Sequence, residues 1–154
     1  MNTITRTTRA CTVETLDTVL KAAIHAHGVK YGLDDIESEV LMCCETTSVN
    51  HRTGLFSSMK TTLSAVYITP KWLVWAESTD HKPAGAGSAM LRSINVRDYQ
   101  NTASYAVMPD HGLNITGRYT DKNRTGITFI GLGSDIDGQK FRQLLEGTIN
   151  RTNQ

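Results

Sequence analysis

The chain has 154 residues, with 16 lysines and arginines against 15 aspartates and glutamates, a formal net charge of +1. That length suits one domain able to bury a working core, and the near-neutral balance supplies no global field to recruit nucleic acid or an acidic membrane. No apolar run approaches the roughly 18 residues of a membrane span, and three cysteines without a secretory signal fit reduced thiols in a cytoplasmic compartment.

The stretch from Met1 to Arg9 has no apolar h-region and reads as a frayed polar start rather than a signal peptide. Thr12 then offers an N-cap, followed by Leu16, Val19, Leu20, Ala23, Ile24 and His27 at helical spacing and Gly28 as a stop. An amphipathic helix over 12–28 is expected. His25 and His27 lie two residues apart, point in different directions and do not form an i, i+4 metal pair; capping or packing explains both. Cys43 and Cys44, as neighbours on a strand, point to opposite faces and do not clamp one metal, so core packing is the reading for the thiols.

From Glu39 to Ser134 the pattern turns to short strands separated by turn signals. Glu39–Val49 is the first, ending in the polar loop Asn50-His-Arg-Thr-Gly54. Residues 55–69 make one bent strand or two. Thr69-Pro70-Lys71 is a tight turn, with Pro presetting φ, and it leads to the strand that carries both tryptophans, Trp72 and Trp75. Further strands are expected over 88–96, 105–108, 113–119 and 126–131. About seven strands without intervening helices indicate an antiparallel barrel or sandwich. A last helix follows Ser134-Asp-Ile-Asp137, a loose capping-box pattern, with Phe141, Leu144, Leu145 and Thr148 or Ile149 as its stripe and Lys140, Arg142, Gln143 and Glu146 facing water. No repeat or linker interrupts the chain, so residues 1–154 read as a single domain.

Chemical motifs are sparse. Gly131-Leu-Gly133 with Gly138-Gln-Lys140 lacks the Gly-Lys-Ser/Thr of a phosphate loop and reads as a strand-to-helix turn. His51, His81 and His111 fall in expected loops, and Asp80 and Asp110 directly precede two of them, a spacing at which the side chains diverge. No catalytic residue, cofactor site or metal site is assigned. If one rim gathers the first loop and the hinge, Arg52, Lys60 and Lys71 form an anion pocket; scattered solvated charge is the alternative.

The order of features resembles the pleckstrin-homology-like superfold, notably its bacterial and GRAM-type members. The residues that carry the likeness are Ala65-Val-Tyr-Ile-Thr-Pro-Lys-Trp-Leu-Val-Trp75, Leu91-Arg-Ser-Ile94, Gly112-Leu-Asn-Ile-Thr116, Gly126-Ile-Thr-Phe-Ile130 and the helix Phe141-Arg-Gln-Leu-Leu145. It spans about residues 38–150 as a pattern of turns and apolar positions, and the 12–28 helix lies outside it. Lys71-Trp72 departs from the arginine that many members carry, and the basic pattern of phosphoinositide-binding members is absent.

The resemblance implies a mostly β, α+β fold: a PH-like antiparallel barrel capped by a C-terminal helix, with an extra N-terminal helix. It implies a non-catalytic binding module docking a protein, peptide or membrane surface, the lipid option being the less supported. The alternative is a small-ligand-binding β-barrel, with an enzyme as one form of it; homo-oligomerisation through the sheet is a further reading of the same surface. Within the barrel, Trp72, Val74 and Ala76 are expected to face the closing helix. Leu73 and Trp75 then point outward as an interaction surface, covered by the 12–28 helix or by a partner.

Overall fold

The computed structural model describes residues 3–33, 36–51, 54–56, 58–80, 82–121 and 125–154. The polar start is a strand, β1 (Thr3–Cys11), not a frayed end. Its threonines are β-branched and favour a pleated surface, and its alternation buries Thr8 while the odd-numbered threonines face water. Helix α1 (Thr18–Tyr31) begins later than the spacing suggests. Thr12 and Thr15 bond each other in a preceding turn, and the Asp17 carboxylate accepts from Val19 N at 3.0 Å as the true N-cap. The helix runs through Gly28, where an added Cβ would stand 3.3 Å from Ile36. It stops at Gly32, whose φ of 62° is the left-handed conformation that ends helices.

Strands β2 (Met42–His51), β3 (Lys60–Ile68), β4 (Trp72–Thr79) and β5 (Gly85–Met90) follow. They pair antiparallel with β1 in the order β1-β2-β3-β4-β5. The β3–β4 turn is as expected: the Thr69 hydroxyl accepts from Lys71 N and Trp72 N at 3.2 and 2.8 Å. The expected 88–96 strand is broken by a short 3₁₀ turn at Leu91–Ser93, where the chain passes to a second sheet. That sheet is β6 (Ile94–Asp98), β7 (Gly112–Arg118) and β8 (Thr125–Gly131), antiparallel in sequence order. The expected 105–108 strand does not form: after a first 3₁₀ turn at Tyr99–Asn101, a second at Ala103–Ala106 takes up its first half, and a turn and bend at Val107 and Met108 the rest. Helix α2 (Ile136–Thr152) closes the fold.

Among the described residues the architecture is mostly β with two helices, of the α+β class, but the strands form two antiparallel sheets and no closed barrel. The five-stranded sheet is buried on both faces. One face carries Cys43, Ala65, Tyr67, Val74 and Ala76 against Leu16, Leu20 and Ile24 of the α1 region. The other carries Cys44, Val66, Ile68 and Leu73 against Ile115 and Ile130 of the second sheet and Phe141 and Leu145 of α2. The two parities of β4 are therefore exchanged relative to expectation. Val74 and Ala76 pack under α1, while Leu73 faces the closing helix and is fully buried. The parity rule holds, but a sheet covered on both sides has two apolar strand faces and no sequence mark says which layer covers which.

The N-terminal turn of α2 closes the outer edge of β1. Asp135 is the N-cap, with one oxygen accepting from Gly138 N at 3.2 Å and the other from Thr8 N at 2.8 Å. Asp137 accepts from Ala10 N at 2.9 Å, so two edge N–H groups that would invite another strand are satisfied by carboxylates. On the inner face, Arg6 of β1 makes a two-pronged ion pair with Asp110, at 2.7 and 2.8 Å, and stacks over Phe129 at 5.1 Å. This latch joins the two sheets. Among the described residues no helix is long and apolar enough to cross a membrane.

Candidate functional site

Strand β6 has a partner on one side only: it pairs with β7, and among the described residues no strand or backbone hydrogen bond completes its other edge. Beside it α2 lays down a ridge, and between them lies an open groove of about 590 Å³. Its floor is apolar, made of Ile94, Val96, Leu113, Leu145 and Ile149, all buried or half-buried. Its walls are rich in side-chain amides: Asn95 and Asn101 from the β6 side, Gln143, Asn150 and Asn153 from α2. An amide both donates and accepts hydrogen bonds, so these walls match the alternating N–H and C=O groups of a polypeptide backbone better than they match a net charge.

The wall toward the start of α2 is set by Arg142. Its Nη1 donates to the Gly133 carbonyl at 2.7 Å and its Nη2 to the Leu132 carbonyl at 3.0 Å. Its Nε stands 2.9 Å from Asp98 Oδ2 as an ion pair without the alignment of a hydrogen bond. Arg142 thus fastens the helix to the exit of β8 and to the end of β6 at once, which fixes the width of the groove. It is half-buried, not on the water-facing side of the helix. The helical wheel alone gives no sign of this, because Asp98 lies 44 positions earlier in the chain.

Of the expected cation cluster, Lys60 and Lys71 are not brought together. Lys60 opens β3 and Lys71 lies in the turn beyond its far end, so the nine residues of β3, roughly 30 Å of extended chain, separate them. Lys71 stacks on Trp72 at 5.5 Å, and Arg52 lies outside the described residues. Leu73, in the core, offers no surface to a partner. Trp75 is half-buried, lying over Gly87 of β5 and edge-on to Tyr119 with centroids 5.4 Å apart.

The histidines resolve similarly. The carboxylate of Asp110 is held by Arg6 and by the backbone N–H of His111, not by the imidazole; His81 lies outside the described residues. His27 has a partner that its sequence position does not reveal. Its Nε2 stands 2.8 Å from the Ser88 hydroxyl, which lies 2.6 Å from the Thr120 hydroxyl. Burial holds the imidazole below its ordinary pKa; Asp121 pulls the other way and Lys30 adds to the lowering. Ser88 is fully buried, so this Ser–His contact ties α1 to β5 and to the end of β7 rather than presenting a nucleophile. Among the described residues no group of three or more His, Cys, Asp or Glu side chains is placed to hold a metal ion.

Comparison with known proteins adds no relative. No family model matches the chain, and no curated protein and no solved structure matches it. The groove is therefore read on its chemistry alone.

Proposed function

We propose that the chain is a non-catalytic binding module of the pleckstrin-homology-like kind, and that it docks an extended polypeptide segment along β6. The observation that carries this reading is the open edge of β6 beside a groove with an apolar floor and amide walls. An added strand would pair its backbone with the open edge, and every second side chain would point to the floor between Val96 and Ile149. The edge of β1 is stopped by Asp135 and Asp137; among the described residues the edge of β6 has no such stop. Selection of peptides from a random display library on the full chain tests this. The selected peptide should shift the amide signals of residues 94–98 and 143–150 and slow hydrogen exchange in β6. Signals confined to other elements would refute the assignment.

A second surface favours a membrane reading. Leu55 and Phe56 are wholly exposed, at 99% and 102%, and Met59 follows at 66% beside Lys60. Apolar side chains at a loop tip with an adjacent cation suit the interface of an anionic bilayer. Co-sedimentation with phosphatidylserine vesicles, lost in L55S/F56S, would support it; a chain that stays in the supernatant at low salt would remove it.

A further inference from the structure

The β1–β2 ladder sets Cys11 directly opposite Cys43, with the two sulfurs 3.4 Å apart. Opposed residues of an antiparallel pair have Cα separations of about 4.5–5.5 Å, inside the window of roughly 4.4–6.8 Å that a disulfide spans. Closing the pair to a bond of about 2.05 Å needs side-chain rotation, not a new backbone. We propose that Cys11 and Cys43 are a reversible dithiol–disulfide site, oxidised by a small-molecule disulfide of the glutathione type.

The two thiols are unequal in a way that assigns their roles. Both line a cleft of about 310 Å³ together with Thr12, Val13, Glu37 and Val40. Cys11 is half-buried, whereas Cys43 is 2% exposed, so an oxidant in the cleft reaches Cys11 first. The contact with Cys43 lowers the Cys11 thiol against the opposing effect of burial; Arg9 lowers it further and Glu45 opposes. The same contact and burial push Cys43 up. This is the asymmetry of an attacking and a resolving thiol. Cys44 does not compete: it lies on the other face of β2, in the core beneath α2 and 4.0 Å from the Asp137 carbonyl, and burial pushes its thiol up to about 12.

The chemistry balances in two exchanges. The Cys11 thiolate attacks one sulfur of the small disulfide; a Cys11–S–S–R bond forms and one RS⁻ leaves. Cys43 loses its proton, attacks Cys11 Sγ and expels the second RS⁻. The two protein thiols lose two electrons and two protons, and the oxidant is reduced to two RSH.

The test incubates the folded full chain with oxidised glutathione and reads intact mass, free thiols and a disulfide peptide map. The wild type and C44S should each lose two hydrogens and yield the Cys11–Cys43 peptide. C11S should stay unmodified. C43S, with C43A as a second variant should serine at this buried position disturb folding, should stop at one glutathionyl adduct on Cys11. The oxidised wild type should melt roughly 5–10 °C above the reduced form. A map showing Cys44 in the bridge, a folded wild type that keeps all its thiols, or adducts in C11S would overturn the proposal.

Discussion

The Arg6–Asp110 latch sets a sharp test of how the two sheets are held. Both side chains are nearly buried, at 11% and 12% exposed, and the guanidinium has Ser48, Phe129 and the carboxylate as its surroundings. Asp110→Ala leaves a largely desolvated cation with one hydroxyl and one ring face. Stranding a buried charge costs about 3–5 kcal/mol, and residual exposure puts this site at the low end, about 3 kcal/mol. With an unfolding entropy near 2.1 cal/mol/K per residue, a chain of 154 residues loses roughly 9 °C of Tm for that amount. Arg6→Met keeps the apolar stem but strands the Asp110 carboxylate, which among the described residues retains only the His111 N–H as a partner, and should cost a similar amount, about 3 kcal/mol. The double variant should be no worse than Asp110→Ala alone, giving a coupling of about 3 kcal/mol in a urea-denaturation cycle at pH 7. The loss should persist at about 0.5 M salt, because a buried pair is weakly screened. Additive single effects, or a cost for Asp110→Ala under about 1 kcal/mol, would show that the pair does not join the sheets.

Two further outcomes follow from contacts already given. A methyl group at Gly87 would lie 2.6–2.7 Å from the Trp75 indole, so Gly87→Ala should displace the ring from Tyr119, cost about 1–3 kcal/mol and shift the emission of a Trp72→Phe background; unchanged emission would contradict the ring's placement. His27 is held neutral by burial, with its folded pKa below the unfolded value near 6.5. Its stabilising contact with Ser88 is therefore fully present above that value and is lost as pH falls from about 6.5 toward the folded pKa. Urea midpoints between pH 7.5 and 5.5 should fall in the wild type and stay flatter in His27→Gln, and equal slopes would refute the linkage.

The elements that packing alone dictates were legible in the chain. The stripe of Phe141, Leu145 and their neighbours is the buried face of α2, and the Thr69 turn joins the strands expected around it. What escaped reading depends on partners far away in sequence. β1 looks like a polar tail because Arg6 and Thr8 are buried through Asp110, Thr46 and Gly133, at separations of 104, 38 and 125 residues. Residues 105–108 have strand composition, but Tyr105 N donates to the Thr102 carbonyl at 3.2 Å and Val107 N and Met108 N to the Ser104 carbonyl at 3.1 and 2.9 Å, local bonds that wind the segment instead of pairing it in a sheet. For the candidate site, the apolar floor was visible as strand and helix periodicity. The open edge of β6 and the grip of Arg142 belong to sheet order, which no local pattern encodes.

The carboxylates that seal β1 come late in the chain. Asp135 lies 127 residues beyond Thr8, so at a synthesis rate of about 5–20 residues per second the first strand waits roughly 6–25 s for its cover. During that interval Thr8 and Ala10 present unmet N–H groups on a nascent sheet whose other strands have already emerged. A ribosome that stalls ahead of residue 134 would hold the chain in this uncovered state, and neighbouring chains on the same message would meet edge to edge.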